Sequence, residues 1–407
     1  MKRVLLAYSG GLDTSFLVAW LSRKEGFDVT AVTVDCGGLS ADEQVEIRER
    51  ALALGATEFS VIDGRADLYT GVLRWLVAGN VKRGDVYPLS VGAERGLQAQ
   101  RVAQLATEEG FDALAHGCTA AGNDQVRFEA ALAVVAPGLE VLAPVRDLGL
   151  SREEQIAWLN EQGLPVPPAG GRYSINAGLW GLTIGGGEML DTALPLPEEA
   201  WVWTKNGGGE AHLSITYSNG QPVALDGEPL DAVPLIEALN RRGGALGVGR
   251  GYHLGDTVLG IKGRIGFEAP AAELLIAAHR ELEKLVLTEE QRFWKDHLGE
   301  VYGRRLHQGL FHDPFMRDVE AFLASSQSAV EGVVHLQLAN GHATVTGVES
   351  SHSMLAASDA AYGERAAAGS DPRAAAFLGR ILAEPARLAR VAGERAAGGA
   401  PPVEVTS

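Results

Sequence analysis

Cysteine is scarce in this 407-residue sequence, which has only Cys36 and Cys118, and these do not form a C-x-x-C pair. Two isolated cysteines exclude a disulfide framework and a cysteine-ligated zinc site. They are typical of a protein from a reducing compartment, so we expect a cytoplasmic location. Aromatic residues are also few, at 6%, whereas 51 glycines and an apolar content of 46% predict a folded chain with many tight turns.

Positive charge is the second shortage. Lysine and arginine number 35 against 52 aspartates and glutamates, which gives a formal net charge of −17 at pH 7. A field of that sign repels phosphate backbones, so we expect no nucleic-acid partner, although a small anionic substrate is not excluded. No apolar run approaches the roughly 20 residues of a membrane span, and we therefore expect no membrane partner either.

Apolar strands alternate with helical segments through the first part of the chain. Strands are predicted at 3–8, 28–35, 58–62, 112–116 and 140–145, with helices over 14–24, 41–54, 65–79, 92–109 and 123–134. Such β-α-β alternation predicts a parallel sheet with helices on both faces and a ligand at the carboxyl ends of the strands. The loops 9–13, 35–39 and 117–122 should therefore converge on one crevice.

The rest of the chain has a different pattern. Residues 163–188 are rich in proline and glycine, which is typical of a linker, but Tyr173 and Trp180 favour an ordered loop that crosses between domains. Mixed strands and helices from about residue 200 predict a separate α+β domain. A narrow apolar stripe near the C-terminus indicates an arm helix or a frayed tail. The predicted domains are 1–165, 166–360 and 361–407.

The loop after the first strand carries the strongest chemical signal. Ser9-Gly10-Gly11-Leu12-Asp13 leads from a strand into a helix, where backbone N–H groups and the helix dipole favour an anion. It matches neither Walker A nor G-x-G-x-x-G. S-G-G-x-D-S/T in this position resembles the pyrophosphate loop of ATP pyrophosphatases, which cleave ATP between the α and β phosphates. The plainer alternative is a glycine turn with a hydroxyl cap.

A second candidate segment runs from His116 to Glu129. Asn123 and Asp124 would occupy the first turn of a helix, with Arg127 one turn later on the same face. Together with Thr119 they offer donors and acceptors that suit an amino-acid zwitterion. From the residues alone, a helix cap at Asn123 and a surface ion pair between Asp124 and Arg127 are equally good explanations.

The two segments together resemble the argininosuccinate synthase family. The likeness runs through residues 7–15, 122–129, 247–250, 260–264 and 268–270. It implies an α/β fold with a Rossmann-like, parallel-sheet nucleotide-binding domain of the adenine nucleotide alpha-hydrolase type. An α+β synthetase and multimerisation domain would follow, then a C-terminal helical arm that helps to build a homotetramer. The implied enzyme is an AMP-forming ligase that joins L-citrulline and L-aspartate through citrullyl-AMP, releasing pyrophosphate, in arginine biosynthesis.

The resemblance also assigns site residues. ATP, accompanied by Mg²⁺ without side-chain metal ligands, would be bound by Ala7, Tyr8, Ser9, Gly10, Gly11, Leu12, Asp13, Thr14, Ser15, Val34 and Gly117. Aspartate would be bound by Thr119, Asn123 and Asp124. Citrulline would be bound by Tyr87, Asn123, Arg127, Ser174 and Thr183. Ser9, Asp13 and Asp124 are the implied catalytic residues.

The departures from the family pattern cluster in the expected citrulline pocket. Gly92, Gly255 and Phe267 stand where the family has Ser, Glu and Tyr, so three polar groups are missing. Residues that could compensate are Ser90, Arg95 and Asp256. Either the chain belongs to a divergent bacterial subgroup with a rebuilt pocket, or the same AMP-forming chemistry acts on a different ureido or amide acceptor. The net charge and the isolated cysteines argue against tRNA thiolation, and the intact loop argues against a catalytically silent binding subunit.

Overall fold

The computed structural model describes residues 1–120, 122–168, 171–205 and 208–398. The N-terminal strands are β1 (Arg3–Ala7), β2 (Asp28–Asp35), β3 (Glu58–Asp63), β4 (Ala113–His116) and β5 (Glu140–Leu142). All pairings among them are parallel, in the order β3-β2-β1-β4-β5. The order reverses beside β1, which makes the carboxyl ends of β1 and β4 the expected ligand crevice of a doubly wound sheet.

Helices cover both faces of this sheet. They are α1 (Leu12–Ala19), α2 (Ala41–Ala53), α3 (Arg65–Leu68), α4 (Arg74–Ala78), α5 (Arg95–Glu108), α6 (Asp124–Val135), α7 (Pro144–Asp147) and α8 (Arg152–Glu161). Short π-helical turns extend α1 over Trp20–Lys24 and join α3 to α4 over Tyr69–Leu73. Side chains alternate along β1, so Leu5 packs in the layer that includes α5, while Val4 and Leu6 pack with α1 and α8.

Two antiparallel sheets follow in the chain. Their strands are β6 (Tyr173–Gly178), β7 (Gly181–Gly186), β8 (Glu210–Ser218), β9 (Gln221–Leu225), β10 (Glu228–Pro229), β11 (Arg250–Asp256), β12 (Lys262–Glu268), β13 (Gly332–Ala339) and β14 (His342–Glu349). One sheet has the order β11-β12-β7-β6, and the other has the order β10-β9-β8-β13-β14. The associated helices are α9 (Ala232–Ala245), α10 (Pro270–Val286), α11 (Glu289–His307) and α12 (Pro314–Ser326).

The fold class predicted from the sequence is confirmed: a parallel α/β sheet precedes a region of antiparallel sheets and helices, and a helix ends the described chain. The prediction for residues 163–188 is wrong, because they contain the β6–β7 hairpin, which pairs with β12. The glycines there permit close approach: a Cβ on Gly181 would lie 2.6 Å from the carbonyl oxygen of Glu268. The predicted strand 140–145 is also too long, since α7 begins at Pro144.

The chain divides into two compact units, the first spanning Met1–His352 and the second beginning at Ser353. The second unit contains α13 (Pro372–Gly398), which carries exposed apolar residues in the stripe that the sequence predicted. The predicted arm extends to residue 407, and residues 399–407 lie outside the described part. None of the helices in the described ranges is both long and apolar enough to cross a bilayer. The domain boundaries at 165 and 360 stay predictions.

Candidate functional site

The loop Ser9–Asp13 connects the end of β1 to the start of α1. Gly10 has φ +76°, and a Cβ there would lie 2.5 Å from Cγ2 of Ile47, so only glycine fits without displacement. No side chain caps α1 at Gly11. The hydroxyl of Thr14 lies 3.2 Å from Oγ of Ser9. The loop therefore presents hydroxyls and the N-terminal end of a helix on one side, which is an anion-binding arrangement.

Side chains from neighbouring helices hold this loop in place. Arg50 donates from Nη1 to the Gly10 carbonyl oxygen at 2.6 Å, and Gln155 donates from Nε2 to Oδ1 of Asp13 at 2.9 Å. The hydroxyl of the buried Tyr8 lies 3.2 Å from the hydroxyl of Ser15. The Asp13 carboxylate is thereby oriented through one oxygen, which leaves the other to meet a ligand.

The loops that follow β1 and β4 come together, and β2 ends at the same edge of the sheet. A Cβ on Gly117 would lie 2.8 Å from Cγ2 of Thr14, so the loop after β4 passes directly against the Ser9–Asp13 loop. Val34 is the last residue but one of β2, and its carbonyl oxygen accepts from Nε2 of Gln98 on α5 at 3.4 Å. The residues that the sequence assigned to ATP thus share the carboxyl edge of the parallel sheet.

A cleft of about 700 Å³, including its open mouth, lies next to this edge. Among its lining residues are Tyr87, Asn123, Asp124, Arg127 and Thr183, five of the residues that the sequence assigned to the amino-acid substrates. Two others are not in the lining. Thr119 is exposed in the loop after β4, and Ser174 is exposed on β6, two residues before Asn176, which does line the cleft.

Asp124 is the electrostatic centre of the cleft. Its two oxygens accept from Nε of Arg95 and from Nη1 of Arg127, each at 2.9 Å. Burial alone would raise the pKa of Asp124, but the two guanidinium groups outweigh it and hold that pKa below its ordinary value. Asp124 and Arg127 therefore do not form the isolated surface ion pair considered from the sequence. The Asp124 carboxylate instead binds and orients two arginines.

Asn123 joins the two sides of the cleft. Its Oδ1 accepts from the backbone N–H of Val258 at 2.8 Å, in the loop between β11 and β12. Its side chain does not cap α6, because Asn123 itself has helical backbone angles. The helix-cap explanation is thus wrong, and Asn123 instead anchors the β11–β12 hairpin to the N-terminus of α6.

The three departures from the family pattern have clear structural consequences. A Cβ on Gly92 would lie 3.5 Å from Nη2 of Arg127, so the glycine leaves one face of that guanidinium uncovered. A Cβ on Gly255 would lie 2.5 Å from Nε2 of His253, whose ring occupies that space. Phe267 packs its ring 5.3 Å from that of Tyr87. Burial raises the pKa of Tyr87 to about 12.

Of the residues expected to compensate, Arg95 and Asp256 line the cleft, whereas the fully buried Ser90 does not. Arg95 also reaches Oδ1 of Asn176 at 3.4 Å, so it is not a surface helix arginine. The carboxylate of Asp256 pairs with Lys262 at 2.5 Å. Its backbone carbonyl oxygen contacts a cleft residue, because it accepts from Nη2 of Arg83.

Sequence reasoning missed several lining residues. Among them are Arg83, Asn176, His253 and His307. His253 and His307 carry no signal in the sequence, because their spacing fits no metal-ligand motif. Asn176 did carry a signal, because it alternates with Ser174 on one strand and faces Thr183 across the hairpin.

The described residues contain no group of three or more His, Cys, Asp or Glu side chains arranged to hold a metal ion. A divalent cation that arrives on nucleotide phosphates needs at most one or two carboxylates from the protein. Asp13, with one carboxylate oxygen not committed to Gln155, fits that smaller requirement.

Comparisons with known proteins agree over most of the chain. A profile described as Arginosuccinate synthase N-terminal HUP domain matches residues 3–165, and one described as Arginosuccinate synthase C-terminal domain matches residues 173–379. An argininosuccinate synthase of Methanocaldococcus jannaschii is 39% identical over 360 residues, covering 87% of this chain and 90% of the relative. Relatives of that name from Symbiobacterium thermophilum and Thermosynechococcus vestitus are each 39% identical and cover 89% of this chain and 91% of their own length. With both halves of the chain matched and the loop and cleft at one sheet edge, this protein belongs to the argininosuccinate synthase family.

Proposed function

We propose that the chain is an AMP-forming ligase that joins L-citrulline and L-aspartate to argininosuccinate at this sheet edge. The observation that carries the proposal is the juxtaposition of the Ser9–Asp13 loop with the cleft lined by Asn123, Asp124 and Arg127. The loop suits a pyrophosphate, and the cleft suits two amino acids. Family membership favours citrulline over a different ureido or amide acceptor.

ATP is proposed to bind with its phosphates over the loop from Ala7 to Ser15, between Val34 and Gly117. Ser9 and Asp13 would face the pyrophosphate that leaves. Mg²⁺, when bound, would neutralise phosphate charge. The sequence predicts no side-chain ligand for it, but the free carboxylate oxygen of Asp13 leads us to propose that this side chain reaches it. The helix dipole of α1 stabilises the same developing charge, because it is fixed in place before the reaction begins.

The reaction has two steps that balance without an additional reactant. The ureido oxygen of citrulline attacks the α-phosphorus, the bond to the β-phosphate breaks, and pyrophosphate leaves. The amine of aspartate then attacks the ureido carbon and loses a proton, and AMP departs with the former ureido oxygen. Holding all three substrates in one cleft turns these encounters into unimolecular steps, and excluding water protects the adenylate.

Thr119, Asn123 and Asp124 are proposed to bind aspartate, and Tyr87, Asn123, Arg127, Ser174 and Thr183 to bind citrulline. Because Asp124 remains ionised between two arginines, it does not readily accept a proton. Its role in this proposal is to accept a hydrogen bond from the aspartate amine and to orient it toward the ureido carbon.

We also propose a cytoplasmic homotetramer with domains 1–165, 166–360 and 361–407. The free cysteines favour a reducing compartment. The apolar side chains on α13, such as Phe377 and Leu382, are more than half exposed and suit an intersubunit contact. Light scattering coupled to size exclusion would give the mass of the assembly, and a monomeric mass would contradict the tetramer.

The experiment that tests the function is pyrophosphate release by the purified chain with ATP and Mg²⁺, with each amino acid supplied alone and together. We expect release that depends on citrulline, and argininosuccinate only when aspartate is also present. Absence of any citrulline-dependent release would reject the function, and release with another ureido compound alone would favour the alternative acceptor.

A further inference from the structure

Two guanidinium groups and one imidazole meet on the side of the cleft where the family's polar residues are missing. Arg127 donates from Nε to the carbonyl oxygen of His307 at 3.0 Å, and its Nη2 lies 3.0 Å from Nδ1 of the same residue. Arg83 places Nη1 2.6 Å from Nε2 of that ring. His307 is therefore held between two cations, and we call these three residues the Arg83–His307–Arg127 cluster.

The cluster contains more donors than acceptors. Burial, then Arg127 and Arg83, lower the pKa of His307 to about 3, so the ring is neutral and has a single lone pair. A guanidinium can only donate, so the ring can accept from one arginine and not from both. The carbonyl oxygen of Asp256, 3.2 Å from Nε2, already accepts from Nη2 of Arg83 and so does not select the tautomer. In either tautomer one of the two arginines faces an N–H group of the ring and lacks an acceptor there.

Arg83 is also short of a counterion. Its Nη2 donates to the backbone carbonyl oxygen of Asp256 at 2.6 Å, but no carboxylate lies at ion-pair distance from it in the described ranges. The nearby carboxylates are committed elsewhere: Asp256 to Lys262, and Asp124 to Arg95 and Arg127. The Asp256 carboxylate attracts Arg83 only from beyond that distance. This partly buried guanidinium therefore has no directly paired anion, and its geometry suits a carboxylate.

The missing side chains leave room for that anion. Gly92 has no side chain to cover Nη2 of Arg127. A Cβ at this position would lie 3.5 Å from that nitrogen. Arg127 uses one N–H on each of its three nitrogens, so donors remain on Nη1 and Nη2. A carboxylate entering the cleft can accept from both arginines at once.

Resting on the function proposed above, we propose that Arg83 and Arg127 together bind the α-carboxylate of citrulline, with His307 as the positioning residue between them. This clamp replaces the polar contacts that Gly92, Gly255 and Phe267 no longer provide. Arg83 lies in none of the segments that carry the family resemblance, so its charge is an addition to the pattern found there. His307 sets the separation of the two guanidinium groups without adding a third positive charge.

The first test replaces Arg83 with glutamine and measures steady-state kinetics for each substrate. Losing a charge-assisted hydrogen bond should raise KM for citrulline about 10- to 100-fold, while KM for ATP and for aspartate stays near the wild-type value. Arg101→Gln is the matched control, because Arg101 lies on α5 and pairs with Asp67 at 3.2 Å outside the cleft. That control should leave all three KM values unchanged.

The second test changes the ligand rather than the protein. Citrulline α-carboxamide lacks the anionic group, so the wild-type enzyme should discriminate against it strongly in kcat/KM. The Arg83→Gln variant should lose about tenfold or more of that discrimination, because the guanidinium that senses the charge is gone. If Arg83→Gln does not fold, Arg83→Lys keeps the charge with a different donor geometry and should retain an intermediate discrimination.

The role of His307 is tested by comparing His307→Gln with His307→Phe. Glutamine keeps one acceptor and one donor, so it should preserve KM for citrulline within a few-fold, whereas phenylalanine should raise that KM tenfold or more with kcat largely kept. A merely structural role would instead lower Tm and alter all three KM values alike.

The results separate this inference from the function on which it rests. A wild-type chain without citrulline-dependent pyrophosphate release rejects the proposed function itself. A wild-type chain that is active, together with an Arg83→Gln variant that keeps wild-type KM for citrulline and full discrimination against the carboxamide, overturns the carboxylate clamp. Equal KM values in the two His307 variants would overturn its positioning role.

Discussion

At the scale of single residues, the site is organised by side chains that fix other side chains. Gln155 orients Asp13 in the pyrophosphate loop, and Asp124 orients Arg95 and Arg127 in the cleft. Each of these contacts is charge-assisted, which makes it stronger and more directional than a neutral hydrogen bond. In the proposed function, these side chains therefore have little freedom before any substrate arrives, and such preorganisation would contribute to catalysis.

Asp13→Ala tests the most consequential of these residues. Removing its carboxylate should lower citrulline-dependent pyrophosphate release at least 100-fold, because the loop loses the side chain that we propose faces the phosphates and Mg²⁺. Asp13 is a partly exposed first-turn residue, so circular dichroism and Tm should change little. Asp67→Asn, in a surface pair with Arg101, serves as the control. Release at the wild-type rate would show that the loop is only a turn.

At the scale of elements, the strand–loop–helix unit was predictable and the hairpin was not. The β-branched run of β2, the glycines after β1 and the capping boxes at Ser40 and Ser151 are local signals, and the structure contains all of them. The glycines of β6 and β7 suggest a loop when only neighbouring residues are considered. They are needed because Glu94 and the backbone at Glu268 approach Gly178 and Gly181 from distant parts of the chain.

Gly10→Ala tests the strand–loop–helix unit. Alanine at φ +76° is strained, and its Cβ would lie 2.5 Å from Ile47, so we expect a loss of about 1–3 kcal/mol in unfolding free energy. ATP binding should weaken as well. Denaturant melts measure the first effect, and nucleotide titration measures the second. Gly138→Ala is the control, since nothing lies within 4 Å of its Cβ, and an equal loss there would contradict the packing argument.

At the scale of the whole molecule, a protein of net charge −17 contains a cleft rich in arginine. The fold reaches this by bringing together residues that are far apart in sequence, such as Arg83, Arg127 and His307. The loop, Asn123, Asp124 and Arg127 could be predicted from the sequence, because each lies in a recognisable local segment. It could not supply Arg83, His253 and His307, because their meeting depends on how the antiparallel sheets and α11 pack beside the parallel sheet.

The packing of His307 predicts how stability depends on pH. Its pKa is about 3 in the folded protein, against about 6.5 when unfolded, so the unfolded chain binds the extra proton below pH 6.5. Its stabilising contribution is complete above that value and is lost as the pH falls toward 3. From pH 7 to pH 5, the unfolding free energy of the wild type should therefore fall by up to about 2 kcal/mol more than that of His307→Gln. Parallel stability curves for the two proteins would contradict this assignment.

The most direct test of the function uses citrulline labelled with ¹⁸O in its ureido group. If the ureido oxygen attacks the α-phosphorus and AMP later departs with it, mass spectrometry should find one ¹⁸O in AMP for each argininosuccinate formed, and none in pyrophosphate. Aspartate should be required for release of the labelled AMP, while citrulline and ATP should suffice to form pyrophosphate. Unlabelled AMP, or pyrophosphate formation that does not depend on citrulline, would contradict the account.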